Sequence, residues 1–133
     1  MILRYFGVLC LAVAALGQGV SNSQNSPTGD TKTAGDAAND SLAAAKALLN
    51  GSKAGEAVAA FKAIVEKSPS SAEAQAGLVR SLLRSRQVDK ADEAAKKALV
   101  AVPASALVHA AAGDVDFREG KFGEAEAEYR AAL

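Results

Sequence analysis

From residue 38 onward the apolar positions of this chain fall at helical spacing. Leu78, Leu82 and Ser85 share one helical face, and Ala91, Ala94, Ala95 and Ala98 share the next. The pattern itself recurs every 34 residues. Pro69 and Pro103 are one such step apart; Ala57, Ala91 and Ala125 keep the same step, as do Phe61, Ala95 and Tyr129. Around the alanines the text reads GEAVAAF, KADEAAK and GEAEAEY, and the segments before them read NGSKAG, SRQVDK and EGKFGE. A fixed period of this length is the signature of a stacked repeat architecture. It predicts six helices, near Asp40–Asn50, Lys53–Lys67, Ser71–Ser85, Val88–Ala101, Ser105–Glu119 and Phe122–Leu133. Ser70, Ser71 and Ser105, just after the prolines, are N-cap candidates. Gly51, Gly55, Gly120 and Gly123 mark the turns inside each helix pair.

The pattern before residue 38 is of another kind. Met1 to Arg4 carries one positive charge, Tyr5 to Leu16 is an uncharged apolar run, and small residues follow. This is the three-part layout of a secretory signal peptide, expected to occupy residues 1–17 with Gln18 as the new N-terminus. The run is shorter than the ~20 apolar residues a spanning helix needs. Cys10 follows Leu9 rather than a small residue, which argues against lipid attachment there. Residues 18–37 are rich in Ser, Asn, Thr and Gly and offer no large apolar side chain after Val20. Such a stretch buries too little surface to offset its ordering entropy and is expected to be a flexible linker. The chain is therefore expected to be exported, periplasmic or secreted, with no membrane association beyond the export signal.

Composition narrows the function classes. Half of the 133 residues are hydrophobic, but four Phe, two Tyr and no Trp make this an alanine-rich set suited to close helix packing. Fifteen basic and fifteen acidic residues balance; removing Arg4 with the leader leaves net −1. No basic field for nucleic acid results. Cys10 is the only cysteine and His109 the only histidine, so neither a disulfide framework nor a zinc site is expected. No phosphate loop or calcium loop is present. His109 reads as a half-buried helix residue, and Glu56, Asp89 and Glu124 as stabilisers of helix N-termini. An enzyme is not expected, nor a cofactor.

These residues resemble the tetratricopeptide repeat family over Ala38 to Leu133, in units 38–71, 72–105 and a truncated 106–133. Numbering each unit from one, the family's small residue at position eight falls on Ala45, Val79 and Gly113. Its position-twenty alanine falls on Ala57, Ala91 and Ala125, and its position-twenty-four aromatic on Phe61, Ala95 and Tyr129. Two departures are plain. The usual aromatic at position four is Ser41, Gln75 and His109, and Asp116 is polar where Leu48 and Leu82 are apolar, so the adjacent Phe117 is expected to take the packing role. The resemblance implies an all-α solenoid of antiparallel helix pairs whose first helices line a concave groove. It places Lys46, Leu49 and Asn50 of the first unit, Arg80, Leu83 and Arg84 of the second, and Asp114, Phe117 and Arg118 of the third on that groove. Lys46, Arg80, Arg84 and Arg118 would form a basic stripe, with Leu49, Leu83 and Phe117 as an apolar stripe beside it. Together they imply a protein or peptide partner carrying apolar and acidic residues. Leu42, Gly77, Leu107 and Ala111 stand where the family's carboxylate clamp has Lys and Asn, which speaks against that mode of tail binding.

The reading is thus an interaction scaffold. Two alternatives stand beside it: the assembly or targeting module of a longer exported enzyme, and self-association through the open face of the last hairpin, which the pattern leaves without a cap.

Overall fold

The structure, a computed structural model, describes residues 34–133. The expected signal peptide with Cys10, and residues 18–33 of the expected linker, lie outside the described residues. Six helices follow in order: α1 (Ala34–Asn50), α2 (Ala54–Lys67), α3 (Ala72–Arg84), α4 (Val88–Ala101), α5 (Ala106–Arg118) and α6 (Phe122–Ala131). No strand occurs among the described residues. Consecutive helices pack as antiparallel pairs, and α3 also packs on α1 and α5, which stacks the pairs into a solenoid.

Five helices begin and end within two residues of the predicted bounds, while α1 starts earlier. Residues 34–37, assigned to the linker, form its first turn. Ala34 and Ala37 favour helix, and Asp36 lies in the first turn, where its charge suits the helix dipole.

The helix ends follow from local chemistry. Ser71 and Ser105 cap α3 and α5: their hydroxyls accept from the amides of Ala74 at 3.3 Å and Val108 at 3.4 Å. The turns within the pairs all close in the same way. The amides of Lys53, Gln87 and Lys121 donate back to the carbonyls of Leu48, Leu82 and Asp116 at 3.0, 3.0 and 2.8 Å. This is the six-to-one bond of a Schellman motif, which needs a left-handed residue just before the donor. That residue is Ser52 (φ 62°), Arg86 (φ 59°) and Gly120 (φ 78°), one per repeat. Gly55 and Gly123, predicted as turn residues, instead lie inside α2 and α6.

The core runs along the stack in two clusters. One gathers Ala45, Ala57, Phe61 and Ala74; the other centres on Val79, Leu82, Leu83, Ala91 and Ala95, and Leu78 touches both. The position-twenty alanines are 0–2 % exposed, so any larger side chain there would push the paired helices apart. Phe61 presses against the backbone of Gly77, where an added Cβ would lie 2.3 Å from the ring. Tyr129 does the same to Gly113 at 2.7 Å. Phe117 does not replace Leu48 and Leu82 in the core. It is 56 % exposed, whereas Val115, 1 % exposed, packs in the core. The helical turn points residue 115 inward and residue 117 toward the groove.

Candidate functional site

The inner faces of α1, α3 and α5 border one open groove of about 660 Å³. All nine residues named from the repeat register line it: Lys46, Leu49, Asn50, Arg80, Leu83, Arg84, Asp114, Phe117 and Arg118. They converge because three parallel first helices repeat one face every 34 residues. Five lining residues were not singled out as site residues. Glu73, Ala76 and Leu107 also sit at groove positions of the repeat, whereas Gly77 and Phe61 enter together. Lacking a Cβ, Gly77 lets the Phe61 ring of the preceding repeat reach the groove floor.

The cations are not a free stripe. Lys46 Nζ lies 2.7 Å from Glu73 Oε2, linking α1 to α3. Arg80 Nε lies 3.7 Å from Asp114 Oδ2, linking α3 to α5. Arg84 Nη1 donates to the Leu49 carbonyl at 2.7 Å and so closes an orphan acceptor at the end of α1. Arg118 makes no ion pair with any described residue. Four cations and two carboxylates leave the groove with an excess of two positive charges. Both carboxylate pairs are about half exposed, where an ion pair contributes roughly 0–1 kcal/mol, so an incoming acid exchanges with them at little cost.

The apolar stripe is also redistributed. Leu83 is 5 % exposed and forms floor, while Leu49 is half-buried. Leu107 and Phe117, 42 % and 56 % exposed, present apolar surface from the two ends of α5, and Phe117 stands next to Arg118 at its C-terminal end. The Phe117 ring is held edge-on to Phe122 with centroids 5.4 Å apart. At the same end the Tyr129 hydroxyl donates to Asp114 Oδ1 at 2.9 Å. Burial and then this bond to a carboxylate raise the Tyr129 pKa above the usual phenol value.

His109 lies away from the groove and has a structural task. Its Nε2 lies 2.8 Å from the Pro103 carbonyl and its Nδ1 2.6 Å from Glu128 Oε2. Both partners are acceptors, so both ring nitrogens donate and the imidazolium form fits the site. The hydrogen bond to Glu128, then that to Pro103, raises the His109 pKa above 6.5. Gln75, the equivalent residue one repeat earlier, donates to the Pro69 carbonyl at 2.8 Å. The second and third repeats therefore place a donor at position four and tie it to the proline that closes the repeat before. No group of three or more metal-ligating side chains forms among the described residues, and none of their helices is long and apolar enough to cross a membrane.

Comparison with known proteins agrees with this architecture. The tetratricopeptide repeat profile matches residues 48–115, just over half of the chain. No curated protein matches the sequence significantly. Among solved structures, the type III secretion translocator chaperone SycD of Yersinia enterocolitica is similar at a TM-score of 0.65 and 18% identity, over 73% of this chain and 74% of that one. The second tetratricopeptide domain of Spaghetti (RPAP3), bound to the HSP90 peptide SRMEEVD, is similar at 0.63 and 16% identity, over 72% and 89%. A MamA double mutant (RS-1) follows at 0.61 and 22% identity, over 71% and 53%.

Proposed function

The chain belongs to the tetratricopeptide repeat family, and on that premise we propose that it is an interaction scaffold holding a peptide segment of a partner protein in the groove of α1, α3 and α5. One observation carries this reading. Phe117 stays exposed beside Arg118, a cation without an ion-pair partner among the described residues, and Leu107 stays exposed at the other end of α5 on the same groove. An apolar surface next to an unspent positive charge matches a segment with adjacent apolar and acidic side chains. That a structurally similar domain holds an acidic peptide supports the ligand class. The missing clamp residues favour recognition by side chains over recognition of a chain terminus.

The test is fluorescence anisotropy with fluorescein-labelled peptides in which Leu and Glu alternate in pairs, against versions with Lys for Glu. The Glu peptides should bind and the Lys peptides should not. Arg118→Glu and Phe117→Ser, both at exposed positions, should each weaken binding about tenfold, or ~1.4 kcal/mol, with the circular dichroism spectrum unchanged. Equal binding of both peptide sets, or none of either, would exclude the proposal. Export is the second part of the proposal and rests on the pattern of residues 1–17. N-terminal sequencing of the protein from fractionated cells should begin at or near Gln18, and an intact Met1 in the cytoplasm would overturn it.

A further inference from the structure

On the side of α3 away from the peptide groove, helices α2, α3 and α4 surround a second opening of about 340 Å³. Its floor is apolar: Val58 and Val65 from α2, Leu78 and Leu82 from α3, and Ala94 from α4. Leu78 packs against both core clusters, so the opening lies over the seam between them. Lys62, Lys90 and Lys97 stand around the rim, with Glu93 as the only acidic lining residue. Lys90 Nζ donates to the uncharged Gln87 side chain at 2.9 Å. Neither Lys62 nor Lys97 is ion-paired among the described residues.

The repeat supplies its own control. One period on, the seam of α4, α5 and α6 is built from other chemistry. Val58 becomes Asp92, paired with Lys96 at 2.6 Å. Leu82 becomes Asp116, and Ala94 becomes Glu128, which is occupied by His109. Lys90 becomes Glu124, and Lys97 becomes Ala131. The later seam thus carries four carboxylates, two of them paired within it. The earlier one is apolar, lysine-rimmed and open, although a stacked repeat requires neither property at this place. Helix α4 leaves the space because the Ala94 side chain that lines it is too short to fill it.

We propose that this opening is a binding site for a small anionic amphiphile, a single acyl chain ending in a carboxylate. Ligand sites of roughly 300–1,000 Å³ are mostly apolar with few polar groups, and this one sits at the small end of that range. The chain lies on the valine and leucine floor, where its methylenes leave water. The carboxylate meets the lysines at the rim, and Glu93 opposes it. The site is separate from the peptide groove and does not depend on the proposal made for it.

Dodecanoate, kept below its micelle concentration, is the probe, titrated into the protein by isothermal calorimetry with dodecanol and dodecyltrimethylammonium as controls. Dodecanoate should bind, and both controls should bind at least tenfold more weakly. Ala94→Leu, a change between two strong helix formers at a half-buried position, should fill the opening and weaken binding at least tenfold. Lys97→Gln should weaken it severalfold, and Glu93→Gln should strengthen it. The Leu and Glu peptides of the groove assay should bind Ala94→Leu as they bind the parent. Equal binding of the three amphiphiles, no binding of dodecanoate, or undiminished binding to Ala94→Leu would each overturn the proposal.

Discussion

Replacing a glycine inside an exposed helix by alanine normally stabilises a protein by about 1 kcal/mol. At Gly77 the sign should reverse. A Cβ placed there would lie 2.3, 2.5 and 2.6 Å from three atoms of the Phe61 ring, against ordinary carbon contacts of about 3.5–4 Å. The ring would have to retreat by more than 1 Å. It is 1 % exposed and belongs to a cluster with Ala45, Ala57 and Ala74, so it has nowhere to go without moving a helix. Overpacking of this kind costs about 1–3 kcal/mol. Three close contacts with a ring that cannot swing away put the cost at the upper end. Setting ~3 kcal/mol against the propensity gain leaves Gly77→Ala less stable by about 2 kcal/mol. Urea unfolding followed by circular dichroism at 222 nm should show a lower midpoint at unchanged slope. Gly55→Ala and Gly123→Ala are internal controls, since nothing lies within 4 Å of a Cβ at either site. They should hold or raise the midpoint. Gly113→Ala should fall between, because the Tyr129 ring it meets is 37 % exposed and can swing outward. In a Phe61→Leu background the Gly77→Ala cost should shrink by at least 1 kcal/mol, a coupling read from the double-mutant cycle. A Gly77→Ala protein as stable as the parent would refute the packing argument.

Three other expectations follow from named contacts. Ser52→Gly and Arg86→Gly remove a left-handed non-glycine residue and should each raise the unfolding free energy by roughly 0.5–1 kcal/mol, after the added chain entropy of glycine is subtracted, whereas Gly120→Ala should lower it by about 1 kcal/mol. The raised His109 pKa means that the folded chain holds this proton more tightly than the unfolded one, so the associated stability is full below about pH 6.5 and is lost as pH rises through the folded value. In thermal melts between pH 5 and 9, His109→Gln, which keeps a donor for Pro103, should abolish that decline, and a decline that persists would place its origin elsewhere. Arg84→Met removes the bond to the Leu49 carbonyl and should cost about 1 kcal/mol, seen as faster amide exchange in the last turn of α1 with little change in α5.

How much of this was legible in the sequence varies with the range of the interaction that decides it. Helix positions and the groove face came through because the 34-residue period and the 3.6-residue turn fix them together, and local caps such as Ser71 and Ser105 carry their own signal. The left-handed turn residues did not. The Schellman register alone selects Ser52 and Arg86, and neither residue type announces it, whereas Gly120 does. The groove's electrostatics were half visible. Arg80, Arg84 and Arg118 could be placed on one face, but whether Lys46 meets Glu73, or Arg80 meets Asp114, depends on the offset between helices 27 and 34 residues apart in sequence. Phe117 was legible twice over, as packing and as groove, and only the rotation of α5 about its axis decides for the groove.

The second repeat shows what the fold requires in place of a fixed motif. Position eight and position twenty-four hold Ala45 and Phe61 in the first repeat, Val79 and Ala95 in the second, and Gly113 and Tyr129 in the third. In each repeat one member is small. In the first and third the second helix carries the bulk, and in the second the first helix does. Val79 is 1 % exposed and Ala95 4 % exposed, in the same cluster, so the exchange fills the interior without an aromatic ring. If paired volume is the requirement, Val79→Ala alone should leave a cavity and cost about 2–3 kcal/mol, while Ala95→Phe alone should overpack and cost at least 1 kcal/mol. The double variant restores the pairing seen in the first repeat. Its loss should be smaller than that of either single change, because the ring would occupy the space the valine vacates. Additive losses in urea unfolding would mean that the two positions are filled independently, and the reading of the repeat as an exchange of bulk between its two helices would fail.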